Sequence, residues 1–228
     1  MKIIHEEKDY ILVHKEAFLA TQTAKLGEMD LYSKVKNYLV EQYQDKDPYL
    51  AVINRLDQPV EGIVLFAKNA KTAANLSAQL QNNKIEKKYL AVIYGVPEKT
   101  EGQVINFIRK NPKTNLSEIV SEKIKDSKNA VLSYSIRTHT ELESLLEINL
   151  QTGRHHQIRV QLSHMGYPIL GDLKYGIPES IEFSRQQSIK KIALCAYKIA
   201  FLHPVTNEKK EYEIIPIHEE IQKMLQGE

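Results

Sequence analysis

Between Gly102 and Leu150 the sequence is dominated by short apolar or alternating runs, Val104–Ile108, Val131–Arg137 and Ser144–Leu150, and a similar run, Lys88–Gly95, precedes them. Successive runs of this length bury one or both faces of an antiparallel sheet, so this stretch constrains the architecture more than any other. A Lys-rich polar excursion, Asn111–Asn129, interrupts it and is expected to be a long hairpin or loop. Further strands are expected at Tyr10–His14, Tyr49–Ile53, Gly62–Ala67, Ala193–His203 and Lys210–Ile215. Asp30 can cap a helix with Leu31, Val35 and Leu39 at intervals of four, and Asn69 a second helix with Ala73, Leu76 and Leu80 on one face. A third is expected over His155–Met165, with Gly166 at the left-handed C-cap position, and a short fourth over His218–Leu225. The expected class is α+β, a large, mixed but mostly antiparallel sheet flanked by helices.

Neither a repeat nor a flexible linker divides the 228 residues, and a single catalytic-size domain over 1–228 is expected. One cysteine, Cys195, leaves no internal disulfide and no multi-cysteine metal site, which fits a reducing compartment. Acidic residues interrupt the opening MKIIHEEKDYILVHKEAF, so it does not read as a signal peptide, and no stretch is apolar enough to span a membrane. A cytoplasmic location is expected. The net charge of +2 is unevenly placed: residues 1–30 carry −2 and 207–228 carry −3, which leaves +7 on the middle. Such an excess suits a polyanionic partner, although from the charge alone a solvated Lys-rich surface is the favoured reading.

Several chemistries lack their sequence elements. The nearest approach to a P-loop, Gly171 to Gly176, continues Ile177-Pro178, and no Gly-x-Gly-x-x-Gly occurs. His5-Glu6 is followed by Asp9, and His218-Glu219 by Gln222, where zinc proteases need a second His. His155 and His156 would lie about 100° apart on a helix rather than on one ligating face. Neither a metal nor any other cofactor is expected. Two polar clusters remain: Asn54-Arg55-Leu56-Asp57-Gln58, in a loop containing Pro59, and Gln151–Arg159, which gathers two Arg, two His and Gln around a helix start. Taken alone, the first is also an ordinary turn and the second ordinary capping with surface charge.

Together they are more specific. NRLDQPVEGIVLFAK at 54–68, KKYLAVIYG at 87–95 and LQTGRHHQIRVQLSHMGYPILGDLKYG at 150–176 stand in the order and spacing of the RluA-type pseudouridine synthases, which the chain resembles almost end to end. The opening IIHEEKDYILVHKEA and the tail LCAYKIAFLHPVTNEKKEYEIIP are similar to that family's first strand and last strand pair. Two departures stand out: Asn54 replaces the family's His, and Val60-Glu61 precede Gly62 in place of Thr-Ser. The resemblance leaves no room for the amino-terminal RNA-binding appendage of some relatives.

By this resemblance the chain isomerises uridine in ribosomal or transfer RNA to pseudouridine, as a monomer and without a membrane partner. Asp57 would be the catalytic carboxylate, as nucleophile or as the base that removes a ribose proton. Arg159 matches the Arg that pairs with it and would keep it ionised, and Tyr89 matches the Tyr whose ring stacks on uracil. The target uridine must leave its stack, and Arg55 would fill the space. Arg154, with Lys84, Lys87 and Lys88, would hold phosphates, and Ile158 and Leu194 would form the apolar floor of the uracil pocket. Asp172 reads as structural, and substrate choice is assigned to Asn111–Asn129. Two rivals are an RNA-binding protein of the same fold that lost catalysis and a glycoside hydrolase using Asp57 and Glu61 as paired carboxylates.

Overall fold

The computed structural model describes residues 1–23 and 27–227. The chain forms two compact units, one comprising 1–86 with 196–215 and the other 87–195 with 216 onward.

In the first unit, β1 (Lys2–Glu6) and β2 (Tyr10–Lys15) form an antiparallel hairpin, and β4 (Glu61–Ala67) pairs with β2 from Tyr10↔Ala67 to Lys15↔Gly62. The next neighbour of β4 is β10 (Leu194–Leu202), whose far edge takes β11 (Lys209–Glu213). Tyr10, Leu12, Ile63, Leu65, Ile199 and Phe201 form a core with Ala73 and Leu76 of α2 (Ala70–Gln81). The alternate residues Ile11, Val13, Val64 and Phe66 are also buried, so β2 and β4 are covered on both faces. α1 (Leu31–Tyr43) buries Leu31, Val35 and Leu39, as their period predicts. Asp30 and Asn69 cap their helices through Ser33 N–H at 2.7 Å and Thr72 N–H at 2.8 Å. Gly62 has φ of +142°, and a Cβ there would lie 2.6 Å from the backbone of Ala196, so β4 and β10 approach this closely only over a glycine.

The expected strand Tyr49–Ile53 shrinks to β3 (Ala51–Val52) on β4. The ladder ends because a side chain takes over: Asn54 Nδ2 donates to Ile63 O at 3.1 Å, and its Oδ1 accepts from Leu65 N at 2.8 Å. The buried amide of Asn54 does there what a strand's backbone would do.

In the second unit the strands are β5 (Glu86–Tyr94), β6 (Glu101–Asn111), β7 (Leu116–Val120), β8 (Lys128–His139) and β9 (Glu143–Leu150). Their order is β5-β9-β8-β6-β7, with every pair antiparallel. The polar excursion is thus a hairpin, β6–β7, followed by turns. α3 (Gln157–His164) packs Val160 against Ile108 and Ala130. It starts two residues later than its period predicts, because His156 takes a left-handed φ of 53° and the His155 and His156 rings stack at 3.7 Å ahead of it. The two His are therefore neighbours in a turn rather than 100° apart on a helix.

α4 (Pro178–Gln186) has no counterpart in the apolar pattern. Its buried positions are Ser180 and Ser184, four apart; Ser184 Oγ donates to Ser180 O at 2.7 Å and accepts from Gly171 N at 3.0 Å. A helix docked through hydroxyls leaves no hydrophobic period to read. α5 (Glu219–Gln226) completes the chain, burying Ile221 and Met224. Among the described residues no helix is long and apolar enough to cross a membrane.

Candidate active site

Asp57 and Arg55 lie in the first unit, on the loop between β3 and β4, and Tyr89, Arg154, Ile158, Arg159 and Leu194 lie in the second. Asp57 is half-buried and Arg55 exposed, while Leu56 between them is buried. Val60 N–H donates to Asp57 O at 3.0 Å, which closes a tight turn over Gln58-Pro59. On one side of the turn Thr21 Oγ1 donates to Leu56 O at 3.0 Å and accepts from Leu56 N at 3.2 Å. On the other, Lys15 Nζ donates to Gln58 O at 3.0 Å, and also to Leu19 O at 2.7 Å and Glu16 O at 3.1 Å. With Asn54 at the base, the backbone around Asp57 is fixed at three places by side chains.

Lys15 is fully buried, and sequence reasoning missed it, because one Lys at a strand end carries no distinguishing pattern. Burial pulls its pKa from the ordinary 10.5 down to about 8, against the opposing charges of Asp57 and Glu61. Between pH 8 and 10.5 the unfolded chain binds more protons at Lys15 than the folded one, so this group makes stability rise with pH across that window. A shift of this size corresponds to about 3 kcal/mol. Urea unfolding at pH 7.5 and 10.5 is expected to show that increment in the wild type and to lose it in Lys15→Met; equal pH dependence of the two proteins would refute it.

Glu61, the carboxylate that departs from the family pattern, is buried in β4 with Oε1 3.4 Å from Nε2 of buried His14. Its charge therefore sits beside two basic side chains, His14 and Lys15, in the sheet. Asn54, the other departure, can donate and accept at once, as a neutral His can, and does both on β4.

In the second unit Tyr89 is buried in β5 opposite Ile148, and Ile158 and Leu194 are buried too. Arg159 of α3 is 2% exposed and pairs with Asp172: Nε donates to Oδ2 at 2.7 Å and Nη2 to Oδ1 at 2.8 Å. This bidentate grip sets the plane of the guanidinium. Asp172 Oδ1 also accepts from the N–H of Lys174 and Tyr175, and the Tyr175 ring lies 5.1 Å from the guanidinium carbon. Asp172 is thus structural, as the sequence suggests, but what it structures is Arg159. Tyr175 Oη accepts from Ser117 N at 2.7 Å and shares a hydrogen bond of 2.8 Å with His156 Nδ1, while Ser117 Oγ donates to His155 O at 2.6 Å. Gln157 closes the helix start, accepting from Arg154 N and Thr152 Oγ1. Of the expected phosphate-binding lysines, Lys88 is neutralised by Glu147 at 2.7 Å, and Lys84 belongs to the first unit.

The described residues include one donor cluster with metal-like spacing, Glu7, Asp9 and His203. His203 Nδ1 accepts from Val205 N and Thr206 N, so its proton is on Nε2 and goes to Glu7 Oε1 at 2.6 Å. Asn69 and Thr72 donate to Asp9. The cluster is held together by hydrogen bonds, and a cation there would have to displace the Nε2 proton.

The model of the RNA pseudouridylate synthase family matches residues 9–164, a span that includes Asp57, Tyr89 and Arg159. The chain belongs to this family, a class of RNA-modifying isomerases, which bears out the RluA-type resemblance. It is 26% identical over 230 residues to an uncharacterized RNA pseudouridine synthase of Bacillus subtilis, covering 100% of this chain and 76% of that one. It is 32% identical over 209 residues to the ribosomal large subunit pseudouridine synthase C of Rickettsia bellii, covering 91% and 67%. Of several other curated relatives it spans between 55% and 64% of the length. Human RNA pseudouridylate synthase domain containing 4 has the same fold, with a TM-score of 0.80 at 21% identity over 99% of this chain and 92% of that one.

Proposed function

We propose that this chain converts specific uridines of structured ribosomal or transfer RNA to pseudouridine, with Asp57 as the catalytic carboxylate. The C1′–N1 bond breaks, the uracil turns and a C1′–C5 bond forms; C5 gives up its proton and N1 takes one, so no redox carrier or nucleotide energy is consumed. The observation that supports this most is the fixing of the Asp57 turn: Lys15, Thr21 and Asn54 hold backbone groups on both sides of one half-buried acid. A surface turn has no use for such bracing, whereas a group that must meet one ribose carbon needs it. In the same reading Tyr89 stacks on the uracil, Arg159 is the fixed cation, and Arg55 enters the space left by the flipped base. Ile158 and Leu194 supply apolar contacts.

The test is to map pseudouridines by adduct-induced reverse-transcription stops in total RNA from cells with and without the gene. Loss of one or a few sites that the purified protein restores on the unmodified transcript is the expected result, and it names the RNA. Release of free uracil from that transcript would instead support the two-carboxylate hydrolase.

A further inference from the structure

Lys87, on β5, is 8% exposed, yet among the described residues its Nζ makes no hydrogen bond and no ion pair. Most of the side chain is buried while the ammonium keeps some contact with solvent and no fixed counter-charge, and a second cation beside it raises the cost of its charge. That second cation is present: burial, with the charge of Arg154 added to it, pulls the Lys87 pKa below its ordinary value. The Arg154 guanidinium is itself tied down, with Nε donating to Asn129 O at 2.8 Å. Gly153, the residue before Arg154, faces the ammonium: a Cβ there would lie 3.7 Å from Lys87 Nζ, so the missing side chain leaves the ammonium open on that side. Gly153 N–H takes no acceptor among the described residues, because the neighbouring acceptor, Gln157 Oε1, is used by Arg154 N and Thr152 Oγ1.

We propose that Lys87, Arg154 and the bare backbone at Gly153 form a subsite for one phosphodiester group of the RNA, and this deepens the reading of the chain as an RNA-modifying enzyme. The arrangement supplies two positive charges beside a stretch of backbone that carries no side chain, and a tetrahedral monoanion can meet both charges there. A free surface lysine would gain little from one phosphate. Buried Lys87 gains more, since the anion replaces the solvation that folding removed. The other two lysines of the basic run differ in this respect: Lys88 already has Glu147 as partner, and Lys84 is exposed on the other unit.

The test measures binding of a fluorescein-labelled RNA hairpin with a uridine-rich loop as a function of potassium chloride concentration. Losing one phosphate contact lowers the slope of log K against log salt by about 0.7 to 0.9. Lys87→Gln is expected to lower it by that amount, and Lys87→Arg to keep it. Gly153→Val, which changes no charge, is expected to weaken binding roughly tenfold by filling the anion's place. An unchanged slope in Lys87→Gln, with its melting temperature preserved, overturns the proposal. If Lys87→Gln does not fold, wild-type affinity in Gly153→Val overturns it. Inorganic phosphate titrated at constant ionic strength should not displace the hairpin; displacement would make this a free-phosphate pocket and overturn its assignment to RNA. Because the readout is affinity, repeating it in an Asp57→Asn background separates this proposal from the catalytic one. A slope change without any pseudouridine on any RNA would leave the subsite standing and remove the isomerase reading.

Discussion

Asp57→Asn is expected to reduce pseudouridine formation by at least about 10⁴-fold, the scale seen when the nucleophile or essential base of an enzyme is removed. RNA affinity and melting temperature should change little, because the Asp57 side chain is half-buried and the turn is braced through backbone groups of its neighbours, Leu56 and Gln58. Asn is close to isosteric and preserves that bracing while losing both the negative charge and the ability to attack carbon or take a proton. Single-turnover assays on the mapped substrate measure the loss. Substantial product from Asp57→Asn would transfer the chemistry to another group and end the assignment.

The second large effect is expected at Asp172. Asp172→Ala removes two charge-assisted bonds from a guanidinium that is 2% exposed, together with the acceptor for Lys174 and Tyr175 N–H. Breaking a buried pair of this kind costs about 3 to 5 kcal/mol. For a chain of this length each kcal/mol corresponds to roughly 2 to 4 °C, so melting should fall by about 6 to 20 °C. Asp172→Asn keeps one acceptor and the shape and should lose less. If Asp172 acts by orienting Arg159, turnover in Asp172→Asn falls well below what its melting temperature implies at the assay temperature, with KM for RNA nearly unchanged. A loss of stability with turnover intact would leave Asp172 a purely structural residue.

The parts of this molecule readable from sequence are those that local chemistry decides. Asp30 before Leu31, Val35 and Leu39, and Asn69 before Ala73 and Leu76, state a cap and a face within a few residues, and both helices form as written. The strands from β5 to β9 announce themselves by alternation. What stayed hidden was decided by partners distant in sequence. α4 docks through serines, β3 is cut short by a side chain eleven residues from its partner Leu65, and His155 and His156 are drawn out of α3 by Ser117 and Tyr175. Of the proposed site, Asp57, Tyr89 and Arg159 are legible as motif positions, through the resemblance of their surrounding segments to the family. Lys15 and the grip of Asp172 on Arg159 are not, since what distinguishes them is burial and geometry rather than residue type.

The amide of Asn54 bridges to Ile63 and Leu65 and so closes the mouth of the segment that carries Asp57. In entropic terms, the disorder of that segment is given up when the chain folds and not when RNA arrives. Heat measured on binding should then report desolvation and base extrusion, with little contribution from ordering of the enzyme's own loop. A variant that opens this bridge would shift the ordering cost to the encounter, and it would be recognised by weaker binding accompanied by a more unfavourable entropy, at an unchanged count of phosphate contacts.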